Sequence, residues 1–427
     1  MSAWTRWTAA QEDAWARDWI ASVIARCPRR QCTTVDEWMA QQMVEDTWAE
    51  LGVPTERQMF RFGRHLYANL LLHFGVSAVA SVGLRGRPGL SSAIQALVAA
   101  SYTAETLRTG PWLRRLLPSE VSSNVLATLP SLGPRRLRIV LISHIDAAFT
   151  GLLFQPAFVQ RFGPRPGARV KPMQLVVGAG LLLAALDALR ALGAKPSDAS
   201  PGTAWNLVRG LLTVPAAVTA LMNLDVVLRD TVVPGANDNL SGVAGGFLLA
   251  RRLLDARPEG VEFVFVSAGA EEASLGGSDA LCRAMAGRWD RSDTVVLATD
   301  GFSNGELFWF EEGEIVPMSP APWLHAVLED LASRPEWAGL APLPIPVGGT
   351  DAVPFLVRGW DAVAVGTADP RHLAPAEYHL PTDDVAHLWP DRIPRTVDLV
   401  EALIEAIVRS HPRHPQPAPE ENPPAPC

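Results

Sequence analysis

From Leu137 onward, short β-branched runs alternate with segments long enough for helices, and this alternation constrains the fold more than any other feature of the chain. The runs are Arg138–Ile142, Val261–Val266, Thr294–Leu297 and Ala362–Val365. Strands connected through helices return to the same edge and run parallel, with the connecting helices covering both faces of the sheet. The expected fold class is α/β: a mainly parallel central sheet flanked by helices. The chain has 427 residues, of which 48% are apolar and 19% charged, so it can bury a sizeable core and is not expected to be disordered.

Upstream of the sheet, residues 1–34 read as an N-terminal helical segment carrying Trp4, Trp7, Trp15 and Trp19. An amphipathic helix follows over Val35–Leu51, closed by Gly52 and Pro54. The main domain is expected over residues 35–410, with apolar insertions at 66–102 and 152–233. Within them, Leu66–Leu84 carries no charge, and the second insertion holds two apolar segments, Met173–Leu192 and Ala204–Leu228, joined by the turn-like Gly193–Gly202. Residues 411–427 are polar and Pro-rich, a composition that builds no core and is expected to stay disordered.

Several function classes drop out early. Lys plus Arg total 37 against 45 for Asp plus Glu, a net charge of −8 without a dense basic block, so no nucleic-acid partner is expected. Cys27, Cys32, Cys282 and Cys427 are too scattered for a disulfide framework or a C-x-x-C zinc site and read as free thiols. The N-terminus has no apolar core ahead of a cleavage site, so no secretory signal is seen. Unless the apolar insertions hold it at a membrane, the chain is expected to be cytoplasmic.

In open α/β sheets the functional crevice lies beyond the carboxyl ends of the strands, and here those ends carry ligand-type side chains. The first run leads into His144 and Asp146, two residues apart on one face, so that Asp146 can orient the imidazole. A Gly-flanked turn before a helix offers Asp238. The second run leads into adjacent Glu271 and Glu272, whose side chains diverge, so that one can bind metal while the other handles a proton. The third leads to Asp300 and the fourth to Tyr378-His379. Any one of these alone is more ordinarily a helix cap, a solvated face or a satisfied core group. Together they supply two imidazoles, three carboxylates and a spare carboxylate, a donor set suited to zinc, or to cobalt or manganese, as a pair of ions about 3.5–4 Å apart.

The motifs SHID, GANDNLSG, EEASLGGS, TDG, GTDAVPF and EYHLPTD, in this order, resemble the di-zinc exopeptidases of metallopeptidase family twenty-eight. The resemblance covers Leu137 to about Ile407 and reaches back more faintly to Val35–Phe60, which looks like that family's leading helix and first strand. It implies two zinc ions per chain, Asp238 bridging them, His144 and Glu272 completing one site, and Asp300 and His379 the other. It also implies Glu271 as general base, Asp146 as partner of the first histidine, Asp351 in a supporting role, and a peptide substrate with a free N-terminus. The chain departs from the family at Ser274, where glycine is common, and at Thr299 and Gly301, which bears on substrate preference more than on metal binding.

Two other functions fit the same resemblance. A glutaminyl-cyclase-like acyltransferase would use a single zinc, but cyclases of that type usually carry an insertion where Glu272 and Gly277 here stand only five apart. A non-catalytic binding domain would have lost ligands that this chain keeps. The apolar insertions have two readings as well: association with a membrane through 66–84, 173–192 and 204–228, or helices that pack as a lid or against a second subunit in an oligomer. Asp187, Arg190, Arg209 and Asp225 fall inside the apolar segments, where a charge facing lipid at mid-depth costs about 2.5–3.5 kcal/mol.

Overall fold

The structure, a computed structural model, describes residues 7–193 and 202–412. Trp4, most of the Gly193–Gly202 connection and the Pro-rich tail past residue 412 lie outside the described residues. The chain begins with α1 (Ala9–Arg26), α2 (Val35–Glu50) and β1 (Thr55–Phe62), then α3 (Leu66–Gly83), α4 (Pro88–Thr106), β2 (Glu120–Leu129) and β3 (Leu137–His144). It continues through α5 (Pro156–Phe162), α6 (Pro172–Gly193), α7 (Thr203–Arg229), α8 (Gly242–Asp255), β4 (Val261–Ala268), α9 (Gly276–Met285) and β5 (Thr294–Asp300). The last elements are β6 (Glu306–Glu311), α10 (Pro322–Ala332), β7 (Ala341–Pro344), α11 (Val353–Leu356), β8 (Asp361–Ala368) and α12 (Arg392–Ser410).

One eight-stranded sheet runs in the order β1-β2-β4-β3-β5-β8-β6-β7. Its centre, β4-β3-β5-β8, is parallel, while β1 and β2 pair antiparallel at one edge and β6 lies antiparallel to β8. This is the expected mixed α/β fold. Every residue of β3 is buried, and its side chains alternate between two cores: Ile139 and Leu141 on one face, Val140 and Ile142 on the other. β5 does the same with Val295 and Leu297 against Val296 and Ala298. A strand buried on both faces needs a continuous apolar run, which is why these segments were legible as strands.

The first core is closed by α1, α2, α8 and α12. Thr8 and Gln11 form a reciprocal cap at the start of α1, and Trp19 of that helix packs at 5.2 Å on Phe247 of α8. Arg252 on α8 ties Glu12 of α1 to Asp398 of α12. Helix α2 ends at Gly52, whose φ of +73° lets Gly52 N–H and Val53 N–H reach the Ala49 and Trp48 carbonyls. Full burial of each aliphatic side chain contributes about 1.5–3 kcal/mol, so the N-terminal helix is bound into the sheet domain by its core contacts. Cys27, Cys32 and Cys282 are buried free thiols.

Helices α3, α4, α6 and α7, drawn from the two apolar insertions, pack on one another as a separate four-helix bundle around Phe74, Ala99, Tyr102, Val177 and Ala216. Each insertion returns to the point where it left. Phe62 and Glu120, which flank the first, are paired in the β1–β2 ladder. Phe149 and Val232, which flank the second, form an antiparallel bridge, with Thr150 N–H donating to the Thr231 carbonyl.

Candidate metal centre

The four parallel neighbours end side by side, and each delivers a ligand-type side chain. His144 is the last residue of β3 and Asp300 the last of β5; Glu271 and Glu272 follow β4, and His379 lies in the loop after β8. Asp238 enters from the turn that precedes α8. These side chains converge. His144 Nε2 is 3.2 Å from Asp238 Oδ1 and 3.9 Å from Asp300 Oδ1; His379 Nε2 is 3.3 Å from Asp238 Oδ2 and 3.4 Å from Glu272 Oε1. Three groups result, His144–Asp238–Asp300, Asp238–Glu272–His379 and His144–Glu271–Glu272, each with its ligand atoms within 4.8 Å of one another. Asp238 belongs to the first two and turns one carboxylate oxygen to each imidazole.

The ion-pair contacts set His144 beside Asp300 and Glu272 beside His379, where the expected partition joined His144 with Glu272 and Asp300 with His379; the third group still brings His144 and Glu272 together. The strand order gives the reason. β3 and β5 are hydrogen-bonded neighbours with Ile142 opposite Ala298, so their terminal residues His144 and Asp300 emerge together, while Glu272 turns to the histidine beyond β8. Glu271 diverges from Glu272 and reaches within 3.8 Å of His144 Nε2.

Asp146 lies against His144, whose Nδ1 is 3.1 Å from its main-chain oxygen and 3.6 Å from its carboxylate. The carboxylate also accepts the main-chain N–H groups of Glu271 at 3.0 Å and Glu272 at 3.1 Å, and so holds the glutamate loop. The loop is also held by backbone conformation: Ala270, Ser274 and Leu275 all have positive φ, and Ser274 at +94° sits where glycine is the comfortable residue. That explains why the resemblance favours glycine at this position.

Several residues without an assigned role in the sequence buttress the centre. Asp383, the last residue of EYHLPTD, accepts the N–H groups of Asn237 at 2.8 Å and Asp238 at 3.1 Å. Asn237 accepts from Ser303 and Asn304 N–H, and Asn239 bonds Thr299 and Gly301, so the residues on either side of Asp238 pin its turn to the loop after β5. The motif strings held that signal. Arg30 had none: fully buried, it donates to the carbonyls of Ile145 and Gly235, tying the His144 and Asp238 loops together from behind. Tyr67, in the first turn of α3, places its hydroxyl 3.3 Å from His379 Nδ1, and Phe154 and Tyr378 pack on the same imidazole at 4.5 and 3.9 Å.

The electrostatics are those of an acidic cluster taken out of water. Burial pushes the Glu271 carboxyl well above its usual range, with Glu272, Asp351 and Asp300 adding to the push against the pull of His144. Burial and Asp238 raise Asp300 to about 8, and burial raises Asp383 to about 7. For His379 burial works downward, but Glu272 and Asp238 outweigh it and lift the imidazole to about 10. His144 likewise rises against burial, through Glu271 and Asp238, and burial is outweighed at Asp238, which the two imidazoles hold below the usual carboxylate range. Among the described residues the buried atoms His144 Nε2, Glu272 Oε1 and Asp351 Oδ1 have no hydrogen-bond partner. Unsatisfied imidazole nitrogen and carboxylate oxygen, crowded at one point, are the donors that divalent zinc takes.

Comparison with known proteins agrees with this chemistry. Residues 224–404 match Peptidase family M28. Aminopeptidase YwaD of Bacillus subtilis (strain 168) is 29% identical over 178 residues, which are 41% of this chain and 38% of that protein, so the chain spans about two-fifths of the length of this curated relative. A zinc aminopeptidase from Bacillus subtilis shares the fold at a TM-score of 0.51 and 13% identity, over 92% of this chain and 94% of its own. The aminopeptidase from Aneurinibacillus sp. strain AM-1 does so at 0.53 and 15%, over 97% and 100%. A glutaminyl cyclase from an Acidobacteriales bacterium gives 0.53 and 14%, over 95% and 98%; identities this low establish the shared fold and nothing finer. The family match, over less than half of the chain, takes in Asp238, Glu271, Glu272, Asp300 and His379, and the chain is similar to peptidase family M28 in that stretch while sharing the fold of these structures.

Proposed function

We propose that the protein is a di-zinc exopeptidase that removes the N-terminal residue of peptides. The observation that carries this reading is the shared carboxylate: the two oxygens of Asp238 face different imidazoles, and each imidazole has its own second carboxylate. His144, Asp238 and Asp300 would hold one ion, and Asp238, Glu272 and His379 the other. Zinc bound there would supply Lewis acidity, lowering the pKa of water and polarising the scissile carbonyl.

The remaining work falls to the chain's own groups. Glu271 lies beside His144, buried, and in its ionised form it takes a proton from the attacking water and returns it to the leaving amine. Asp146 keeps Glu271 and Glu272 aimed apart through their main-chain N–H groups. Spare carboxylate at the centre, with Asp300 part-exposed, gives a free substrate α-amino group an ionic partner.

The test is zinc content by elemental analysis of the wild type and of Asp238→Ala, with turnover on a panel of amino-acyl nitroanilides and their N-acetylated forms. About two ions per wild-type chain, loss of both with Asp238, and cleavage only of free-amine substrates are expected. One ion per chain, or release of cyclised pyroglutamyl product from N-terminal glutamine peptides, would favour the second reading. That reading is a glutaminyl-cyclase-like acyltransferase, kept because the fold likeness includes glutaminyl cyclases.

A further inference from the structure

We propose that α3, α4, α6 and α7 form a membrane-embedded bundle: two helical hairpins that leave the peptidase body, cross the hydrocarbon layer together and return, with lipid acyl chains covering the bundle's outer face. The first support is polarity turned inside out. A bundle in water hides leucine and exposes charge. Here Val79, Leu189, Leu207, Leu211 and Leu221 are 60–72% exposed, and of the acidic and basic residues in the four helices only Arg229, at the very end of α7, is exposed.

Beside its apolar core around Phe74 and Val177, the interior also holds the polar groups. Asp187 of α6 and Arg209 of α7 form a fully buried ion pair, and Arg209 also donates to the Ser81 carbonyl and, at 3.3 Å, to the Ser91 hydroxyl. Ser77 bonds Gln95 at 2.6 Å, Ser81 bonds Thr213, and His73 bonds Ser101 at 2.9 Å, each bond joining two helices. In a hydrocarbon surround, polar groups must find partners inside the protein, and small hydroxyl residues at the seams are the usual means. Asp187 and Arg209, two of the four charges that weighed against a membrane in the sequence, thus face each other and not lipid.

Length gives the second, independent support. The helices hold 18, 19, 22 and 27 residues, about 27–40 Å at 1.5 Å per residue, against a hydrocarbon core of about 30 Å. Three of them are long and apolar enough to cross a membrane by themselves, and no more than 39% of any of these stretches is buried. The fourth, α4, fails that criterion alone and crosses as the partner of α3 and α6. Arg85 and Arg87 are exposed in the tight turn between α3 and α4, so the far end of the bundle suits water or headgroups, not mid-bilayer. Arg190 lies over the Trp205 ring near that end, and Trp112 stands exposed just past α4 at the other, where aromatic anchors belong.

The test uses the full chain with Cys427→Ser, which leaves only the buried thiols Cys27, Cys32 and Cys282. Single cysteines at Val79, Leu211 and, on the peptidase body, Glu329 are labelled with an environment-sensitive fluorophore in phosphatidylcholine–phosphatidylglycerol vesicles. Expected are retention in the membrane pellet through alkaline carbonate with release by detergent, quenching of the labels at 79 and 211 by acyl-chain-brominated lipid, and none at 329. Leu211→Glu, harmless on a face exposed to water, should shift partition away from the membrane by roughly 100-fold. Recovery of the native chain in the soluble fraction, as a monomer or as an oligomer whose 79 and 211 labels cross-link between copies, would overturn the proposal. These readouts need no catalytic turnover, so they stand whether or not the peptidase reading does.

Discussion

Replacing Glu271 by glutamine separates chemistry from folding within one side chain. The carboxylate is buried, accepts no hydrogen bond among the described residues, and approaches the candidate ligand set at 3.8 Å from His144 Nε2. Glutamine has nearly the same shape and removes the group whose ionised form would accept the proton. A general base is typically worth 10²–10⁴ in rate, and at about 1.36 kcal/mol per decade the change should raise the barrier by about 2.7–5.5 kcal/mol. It should fall on kcat, with KM and zinc content close to wild type, if the ions sit in the two Asp238-centred groups and not in the third, His144–Glu271–Glu272. Stability should move little or rise. In the metal-free protein burial and the neighbouring carboxylates already favour a protonated Glu271, which the neutral amide imitates. Initial rates on the best nitroanilide, zinc per chain and the melting temperature of metal-free protein measure the three quantities. Turnover within a few-fold of wild type would refute the proton role, and loss of zinc would show Glu271 to be a ligand.

Other perturbations bear on different parts of the molecule. Asp383→Asn puts an amide where two main-chain N–H groups need an acceptor; zinc affinity should fall about 10–100-fold, read by competition with a chromogenic chelator. Tyr67→Phe removes the hydroxyl beside His379 Nδ1, and the same titration should register a loss at the low end of that range. Ser274→Gly relieves a left-handed backbone position and should raise the unfolding free energy by about 1 kcal/mol in denaturant titrations, with activity retained. Asp187→Ala strands Arg209 and should cost about 3–5 kcal/mol, while Asp187→Leu combined with Arg209→Met should restore most of it, as followed by thermal unfolding in detergent micelles. Chelation should lower the melting temperature of the wild type and leave Asp238→Ala unmoved.

The parts legible in the sequence share a physical cause. β3, β4, β5 and β8 are buried on both faces and demand unbroken apolar runs; β3 and β5 end on a ligand-type residue and β4 meets one within a few residues, so strand and site announce each other there, while His379 follows β8 only after a longer loop. β2 was not legible because it buries Ser122, Ser123 and Asn124 against neighbours that are remote in sequence: Gln41 donates to the Ser123 carbonyl, and Asn124 to the Gly277 carbonyl. β6 and β7 are short, one aromatic-rich and one split by prolines, and lack the β-branched signature. Within the site, the residue types were readable but which of them would face one another was not, since that depends on which strands lie adjacent. Arg30 and Tyr67 stand in no motif, and their proximity to the centre is a matter of tertiary packing alone. The four charges in the apolar segments showed the same limit: only the helix pairing reveals that Asp187 and Arg209 neutralise each other.

The way the insertions close has a practical corollary for dissection. Phe62 faces Glu120 across the β1–β2 ladder, and Phe149 faces Val232 across a bridge, so both gaps in the peptidase body are already the width of a tight hairpin. Two-residue Asn-Gly turns spliced at these mouths would excise the whole bundle without stretching either strand pair. The trimmed chain would forfeit Tyr67 and Phe154, so comparing its catalysis with that of the parent would separate what the bundle lends to the metal centre from what the sheet supplies unaided.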